Sequence, residues 1–234
     1  MIDKELLNKY LAEYGIIIDT NAPDRLERFA ELLVEWNNKM NLTAIVEPKD
    51  IVVKHFIDCL MLFKYVDFKA GQKLIDVGTG AGFPAMPLLI GKPELDITFL
   101  DSLNKRLDFI SEVLSQNKLS ANIVHERAEM LSKDVAYREM YDYATARAVA
   151  PMNVLSEYCL PYVTVGGYFI AMKGPDEDID CSRSAIKELG GEIENIVSYK
   201  LPNGDNRKIV IIKKITHTPT KYPRNSKKIA TKPL

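Results

Sequence analysis

The segment from Asp76 to Pro84, Asp-Val-Gly-Thr-Gly-Ala-Gly-Phe-Pro, is rich in glycine and is the part of the chain best suited to binding a ligand. It follows a short apolar run at 74–77 and precedes a stretch that is compatible with a helix. Open α/β sheets bind their ligands at such positions, just beyond the carboxyl ends of the strands. Glycines there allow a tight turn and let a ligand lie against bare backbone. The segment therefore predicts a cofactor site.

The spacing of these glycines favours one cofactor over another. A dinucleotide site has the pattern G-x-G-x-x-G, and the N-terminus of the following helix faces a pyrophosphate. Here the third dinucleotide position is Phe83, a side chain too large for that contact. The spacing G-x-G-x-G behind an acidic residue resembles the loop that binds S-adenosylmethionine, whose cationic methionine end tolerates a nearby carboxylate. The residues that we expect around this cofactor are Asp76, Gly78, Thr79, Gly80, Gly82 and Phe83.

Carboxylates after the next two predicted strands complete a site for a nucleoside. Asp101 closes the second strand, where it can accept hydrogen bonds from both hydroxyls of a ribose. Ala128-Glu129 follows the third strand, where a carboxylate and a backbone amide can bind the edge of an adenine. The alternatives are a helix N-cap at Asp101 and a first-turn acid at Glu129 that interacts with the helix dipole.

Three residues are candidates for the reacting part of the site. Arg147 ends the predicted fourth strand, where its planar guanidinium can orient the cofactor or a target base. A buried structural ion pair is the alternative. His55 and Asp58 lie at positions i and i+3 of a predicted helix and so share a face, where they can line the target pocket or form a local surface pair.

The predicted elements place these residues at one edge of a sheet. Residues 1–68 show helical periodicity and predict an N-terminal helical cap with helices at 3–14, 23–36 and 50–65. From 69 to 215, strand patterns alternate with helical ones, which predicts a doubly wound, mostly parallel α/β sheet. Asn203-Gly204 is a hairpin signal, so the last strand should be antiparallel. The seven predicted strands are 74–77, 96–101, 121–125, 141–147, 168–172, 193–201 and 207–215.

Charge is distributed unevenly along the chain. Its 234 residues have a formal net charge of −1, yet residues 206–234 contain nine Lys or Arg and no Asp or Glu. Such a terminal block is typical of an arm that binds nucleic acid, and a solvated tail is the alternative. We expect removal of the basic tail, 216–234, to weaken RNA binding and to leave cofactor affinity unchanged. The candidate RNA contacts are Asn41, Lys173, Arg207, Lys221 and Arg224.

Composition narrows the class of protein and its compartment. Apolar residues make up 47% of the chain and charged residues 27%, as in ordinary globular proteins. No run approaches the roughly 20 apolar residues that span a bilayer, and the first residues lack an apolar signal core. Three cysteines without C-x-x-C spacing predict reduced thiols, no disulfide framework and no metal site. We therefore expect a cytoplasmic protein that is independent of membranes and metals. Nothing in the sequence suggests an obligate dimer, so we also expect a monomer.

Several short motifs occur in an order that resembles one protein family. They are Met40–Ala44, His55–Asp58, the glycine segment, Leu100–Ser102, Arg127–Glu129, Thr145–Ala148, Met172–Gly174 and Thr218–Arg224. Together they resemble the bacterial small-subunit ribosomal RNA guanine-N7 methyltransferases of the glucose-inhibited division protein B family, over nearly the whole chain. Cys59 departs from the serine found in many relatives, a change that conserves size.

The resemblance implies a Rossmann-like, S-adenosylmethionine-dependent enzyme that methylates N7 of a guanine in the decoding-region loop of 16S ribosomal RNA, as free RNA or in the 30S particle. Because guanine N7 has an in-plane lone pair and no proton, such an enzyme needs no general base. A methyltransferase for small molecules or proteins, an NAD-dependent oxidoreductase and a non-catalytic RNA-binding module are the alternatives. The implied cofactor contacts are Gly78, Phe83, Ala128, Glu129 and Arg147, with Asp101 and Ser102 near the ribose.

Overall fold

The computed structural model describes residues 1–234 and contains one seven-stranded sheet flanked by helices. The strands are β1 Lys73–Val77, β2 Asp96–Asp101, β3 Asn122–His125, β4 Tyr141–Arg147, β5 Val163–Lys173, β6 Gly191–Lys200 and β7 Asn206–Lys214. The α-helices are α1 Lys4–Tyr14, α2 Ala22–Asn37, α3 Pro48–Asp50, α4 Asp58–Leu60, α5 Leu62–Tyr65, α6 Ala85–Gly91, α7 Asn104–Asn117, α8 Ala128–Leu131, α9 Met152–Cys159, α10 Arg183–Glu188 and α11 Ser226–Thr231. A π-helical segment, Ile51–Ile57, lies between α3 and α4 and divides the helix predicted at 50–65.

The strands are arranged in the order β3-β2-β1-β4-β5-β7-β6. β1 to β5 pair in parallel, whereas β7 lies antiparallel between β5 and β6. This arrangement confirms the predicted doubly wound, mostly parallel sheet with an antiparallel last strand. The chain reverses its direction of winding between β1 and β4, and open α/β sheets bind ligands at this crevice.

The central strand and the second helix show why the sequence forms these elements. Leu74, Ile75 and Val77 of β1 are all buried, because helices cover both faces of a parallel sheet. In α2, Leu26 and Phe29 recur at helical spacing and are fully buried. Both elements were predicted from this apolar pattern.

The helical cap over residues 1–68 shares its hydrophobic core with one face of the sheet. The ring of Phe29 in α2 lies 5.3 Å from that of Phe83 after β1 and 6.1 Å from that of Phe109 in α7, measured between ring centres. These rings belong to one cluster of 41 buried residues that includes both cap and sheet. Cap and sheet therefore share one hydrophobic core, and the boundary at 68 stays a prediction.

Strand β5 is longer than predicted. It begins at Val163, upstream of the predicted range 168–172, and its pairing with β4 shifts register near Gly166-Gly167. In a sequence, two adjacent glycines suggest that a strand is interrupted, but here they allow a bulge within the strand. A Cβ atom on Gly167 would lie 2.5 Å from the carbonyl oxygen of Asp142, so this close approach requires glycine.

The C-terminal tail, 216–234, packs against the face of the sheet opposite the cap. Thr218, Tyr222 and Ile229 are buried there, and the tail ends in the short helix α11, which the sequence did not predict. The tail is therefore docked on the protein, unlike the free arm that its charge suggests. None of the helices has both the length and the apolar character needed to cross a membrane.

Candidate active site

A buried carboxylate anchors the glycine segment behind β1. Asp76 is fully buried, and its two oxygens accept hydrogen bonds from Thr79 Oγ1 at 2.6 Å and Thr145 Oγ1 at 3.1 Å. Burial raises the pKa of this carboxyl to about 6, and the two threonine hydroxyls oppose that rise. Asp76 therefore links the turn after β1 to the neighbouring strand β4. Both of its carboxylate oxygens are bound by side chains of the protein, those of Thr79 and Thr145.

The three glycines of the segment have positive φ angles: +71° at Gly78, +58° at Gly80 and +89° at Gly82. A Cβ atom on Gly78 would lie 3.0 Å from Val149 Cγ2, and one on Gly82 would lie 2.9 Å from Ile110 Cδ1. Side chains at these positions would strain the backbone and collide with the loop before α9 or with α7. The turn thus brings bare backbone to the edge of the sheet.

A cavity of about 390 Å³ lies beside this turn, at the carboxyl ends of β1, β2 and β3. Asp101 ends β2 there, and its Oδ2 accepts a hydrogen bond from the backbone N–H of Gly80 at 2.9 Å. Its Oδ1 accepts one from Leu103 N–H at 2.9 Å, and Arg106 Nη1 of α7 lies 3.3 Å from Oδ2. This carboxylate is therefore bound to the segment that leads into α7, whose N-cap is Leu103. We refer to this space as the nucleoside cavity. It is lined by Gly78, Asp101, Ser102, Ala128, Glu129, Val149, Tyr158 and Ser226, among others.

Glu129 offers a carboxylate with little competition from protein groups. The residue is 5% exposed, and its closest cationic partner, Arg127 Nη1, lies 3.9 Å from Oε1. The backbone next to it is fixed, because the Ala128 carbonyl accepts a hydrogen bond from Tyr162 Oη at 2.7 Å. The predicted pair Ala128-Glu129 therefore contributes a fixed backbone and the Glu129 carboxylate, a hydrogen-bond acceptor, to the cavity.

A second cavity, of about 570 Å³, lies on the other side of the loop that follows β4. Its walls include the predicted residues His55, Asp58, Arg147, Lys173 and Arg207. We call it the Arg147 cavity. The two cavities share Ala148 and Val149 in their linings, so one short segment forms a boundary of both.

Arg147 is held by the cap from three directions. Its Nη1 donates to the Lys54 carbonyl and to Asp58 Oδ2, both at 3.0 Å, and its Nη2 lies 2.7 Å from His55 Nδ1. The guanidinium carbon also lies 4.8 Å from the centre of the Phe83 ring. These contacts use three of the five N–H groups of arginine, which leaves Nε and one N–H of Nη2 for a ligand.

The contact with Arg147 defines the protonation state of His55. Because a guanidinium only donates, His55 Nδ1 must accept, and the ring proton is then on Nε2. That nitrogen lies 3.0 Å from Thr43 Oγ1, which also accepts from the Ile45 N–H at 3.0 Å. Burial and the positive charge of Arg147 lower the pKa of His55 to about 3. The ring is therefore neutral at physiological pH and acts as a support for Arg147.

Asp58 joins the cap to the far edge of the sheet. Its Oδ1 accepts a hydrogen bond from Tyr199 Oη of β6 at 2.6 Å and lies 4.0 Å from Arg207 Nε of β7. The expectation that His55 and Asp58 share a face agrees with this geometry, since both reach Arg147. Tyr199 was not foreseen, because a tyrosine on an alternating edge strand gives no signal of function.

The low pKa of His55 makes the stability of the protein sensitive to acid. Between about pH 3 and 6.5 the unfolded chain binds more protons at this residue than the folded chain does, so its contribution to stability falls as pH falls through that window. We expect the difference in unfolding free energy between wild type and His55→Asn to shrink on going from pH 7 to 4, with a limiting slope of about 1.4 kcal/mol per pH unit. Urea unfolding at several pH values measures it.

Asn195→Ala, at an exposed position of β6, is the control. It removes no titratable group, so its difference from wild type should not vary with pH. The comparison uses the difference in unfolding free energy between wild type and variant, because Asp76 also makes that free energy depend on pH, with the opposite sign. Its folded pKa is raised from 3.8 to about 6, so its contribution to stability increases as pH falls through that range. A His55→Asn difference that stays constant between pH 7 and 4 would contradict the neutral, buried histidine.

The other candidate RNA residues are scattered. Asn41 is exposed, whereas Lys173 Nζ is bound to the Ala150 carbonyl at 2.6 Å and to Glu177 at 3.1 Å. Lys221 pairs with Glu188 at the surface, and Arg224 pairs with the buried Glu157. Only Lys173 and Arg207 of this group line the Arg147 cavity.

Several solved structures with a similar fold are named as methyltransferases. The precorrin-6y C5,15-methyltransferase of Geobacter metallireducens GS-15 superimposes with a TM-score of 0.52 at 14% identity, over 75% of this chain and 91% of that one. At this identity the likeness concerns the fold. The fold is that of the Rossmann-like, S-adenosylmethionine-dependent methyltransferases.

Comparison of sequences identifies the family. The model of the GidB family, described as rRNA small subunit methyltransferase G, matches residues 23–210. The ribosomal RNA small subunit methyltransferase G of Thermoanaerobacter sp. (strain X514) is 49% identical over 236 residues, with 98% of both chains covered. The protein of that name from Alkaliphilus metalliredigens (strain QYMF) is 47% identical over 100% of both chains. The chain belongs to the GidB family.

Proposed function

We propose that this protein transfers a methyl group from S-adenosylmethionine to N7 of a guanine in the decoding-region loop of 16S ribosomal RNA. The observation that supports it best is the pair of cavities that meet at Ala148-Val149, one with the acceptors of a nucleoside site and one built around Arg147. The names of its close relatives supply the class of RNA. Residues of this one chain line both cavities, which supports action as a monomer, and the proposed substrate places the reaction in the cytoplasm.

The nucleoside cavity has polar groups that suit the adenine and the ribose of this cofactor. Glu129 offers carboxylate oxygens and the adjacent backbone offers an N–H, which suits the edge of an adenine. Asp101 presents a carboxylate that the Gly80 N–H holds in place, and it suits ribose hydroxyls. The bare backbone at Gly78 allows close approach of the rest of the cofactor.

The reaction depends more on the relative position of guanine N7 and the methyl group than on proton transfer. When bound, S-adenosylmethionine supplies an electrophilic methyl group. Guanine N7 has a lone pair in the ring plane and no proton, so the neutral His55 has no proton to remove. Holding two reactants in line contributes up to about 7–11 kcal/mol in ideal cases. We assign this positioning to the walls of the Arg147 cavity.

Arg147 is suited to orienting the target base. Asp58 balances its charge, and the contacts with His55 and the Lys54 carbonyl fix the plane of the guanidinium. The free N–H groups, on Nε and Nη2, can donate to an acceptor such as guanine O6. His55 and Asp58 are then positioning residues that act through Arg147.

The decisive experiment is to incubate the protein with S-adenosylmethionine labelled in its methyl group and purified 30S particles, and then to map the modified nucleotide. We expect label at N7 of one guanine of the decoding region. Free 16S RNA and total cell protein are tested in parallel. Label found on protein or on small metabolites, with none on RNA, would refute the proposed substrate.

Arg207 should contribute to RNA binding by contacting phosphate. It lines the Arg147 cavity and a neighbouring groove with Lys200 and Lys208. We expect Arg207→Ala to reduce the dependence of log K on log salt concentration by about 0.7–0.9, the value for loss of one phosphate contact. Filter binding of a 16S fragment from 50 to 200 mM salt measures it. Lys187→Ala, on an exposed part of α10, is the control, and equal slopes for both variants would exclude the contact.

A further inference from the structure

The basic tail, 216–234, is bound to the body by buried polar contacts. Arg138 donates from Nη2 to the Thr218 carbonyl at 2.8 Å and from Nη1 to the Tyr222 carbonyl at 3.0 Å. Lys214, which precedes the tail, is fully buried. Its Nζ donates to the Leu160 carbonyl at 2.7 Å and to Thr218 Oγ1 of the tail. The tail therefore has a fixed position.

The strongest of these contacts joins Arg224 of the tail to Glu157 of α9. Glu157 is fully buried. Its Oε1 accepts from Arg224 Nε at 2.9 Å and from the Arg224 backbone N–H at 2.7 Å, and its Oε2 accepts from Nη2 at 2.6 Å. Such a bidentate pair has a defined geometry, and removal of one partner leaves a buried charge without compensation. Arg224 thus determines where the following residues lie.

The residues that follow Arg224 reach the cofactor side of the molecule. Asn225 caps α11 by accepting the Lys228 N–H at 2.9 Å, and Ser226 at the start of that helix lines the nucleoside cavity. Tyr158, next to Glu157 in α9, lines the same cavity. One turn of α9 therefore contacts the tail with Glu157 and the nucleoside cavity with Tyr158.

We propose that the docked tail forms an outer wall of the cofactor site, and that Arg224 is the residue that positions it. The inference rests on the proposed function, since it takes the cavity beside Asp101 and Glu129 as the place of the cofactor's nucleoside. The tail then belongs to cofactor binding. This replaces the expectation, drawn from charge alone, that the tail is irrelevant to cofactor affinity.

The test compares full-length variants by calorimetric titration with S-adenosylmethionine. We expect Arg224→Ala to raise the Kd about tenfold and Arg224→Lys to recover part of that loss. Ser226→Phe, which keeps the pair with Glu157 and adds bulk at the cavity, should raise the Kd at least as much. Lys227→Ala, on an exposed part of α11, is the matched control and should bind as the wild type does. Methylthioadenosine, which lacks the amino-acid part of the cofactor, should show the same losses because the wall lies at the nucleoside end.

Thermal unfolding of each variant separates this role from a purely structural one. If Arg224→Ala lowers Tm while both Arg224→Ala and Ser226→Phe retain the wild-type Kd below the transition, the tail is only a structural brace and the inference is overturned. If the wild type itself binds neither S-adenosylmethionine nor methylthioadenosine, the proposed function fails and the inference fails with it. Binding by the wild type with selective loss in the two variants supports both.

Discussion

Arg147→Lys should lower kcat for methyl transfer by about 100-fold or more, which corresponds to about 3 kcal/mol of lost stabilisation. Arg147 simultaneously satisfies the Lys54 carbonyl, Asp58 and His55, and a single ammonium cannot replace that planar arrangement. The substitution retains the charge and removes the orientation. Single-turnover assays with 30S particles and saturating cofactor measure the effect directly.

Two controls accompany the arginine substitution. Arg183→Lys changes an exposed arginine that pairs with Asp180 at the surface, and it should retain wild-type kcat. Calorimetry should show that Arg147→Lys still binds S-adenosylmethionine within a few fold of wild type, because the nucleoside cavity is lined by other residues. Near-normal methyl transfer by Arg147→Lys would refute the positioning role of the guanidinium.

Glu129→Ala should weaken cofactor binding by about 10- to 100-fold, the range expected when a hydrogen bond to a charged group is lost. The Glu129 carboxylate lines the nucleoside cavity while almost fully buried, and its nearest cation is 3.9 Å away. The Glu129 carboxylate can therefore accept hydrogen bonds from a ligand. The effect should appear in Kd and KM for S-adenosylmethionine, with kcat at saturating cofactor nearly unchanged.

Glu112→Ala, in which a half-exposed acid on α7 is removed, is the control for Glu129→Ala and should leave both constants unchanged. Glu129→Gln should fall between wild type and Glu129→Ala, because the amide keeps one acceptor oxygen. An unchanged Kd for Glu129→Ala would show that the adenine edge is bound elsewhere. Such a result would remove the main support for placing the nucleoside in this cavity.

Much of the fold could be predicted from local pattern. The run Leu74–Val77 is apolar because helices cover both faces of β1, and the positive φ angles at Gly78, Gly80 and Gly82 explain the glycines that marked the turn. Asn203-Gly204 marked the hairpin between β6 and β7. These signals depend on neighbours in sequence, and for that reason they can be recognised without a structure.

The remaining features depend on contacts between distant residues. Tyr199 and Asp58 are 141 positions apart, and Arg224 and Glu157 are 67 apart. Nothing in the local sequence indicates that Arg224 is half-buried in an ion pair with the buried Glu157, so the excess of positive charge in the tail suggested exposure. The neutral state of His55 likewise follows from Arg147, which lies 92 positions away.

The segment Ala148-Val149 lines both cavities and packs its valine against Gly78. Any shift that one ligand imposes on this segment therefore alters the space available to the other. The affinities for the two ligands are linked. If a bound ribosomal particle raises the affinity for S-adenosylmethionine by some factor, bound S-adenosylmethionine raises the affinity for the particle by the same factor. Through this segment, the binding of one substrate can change the affinity of the enzyme for the other.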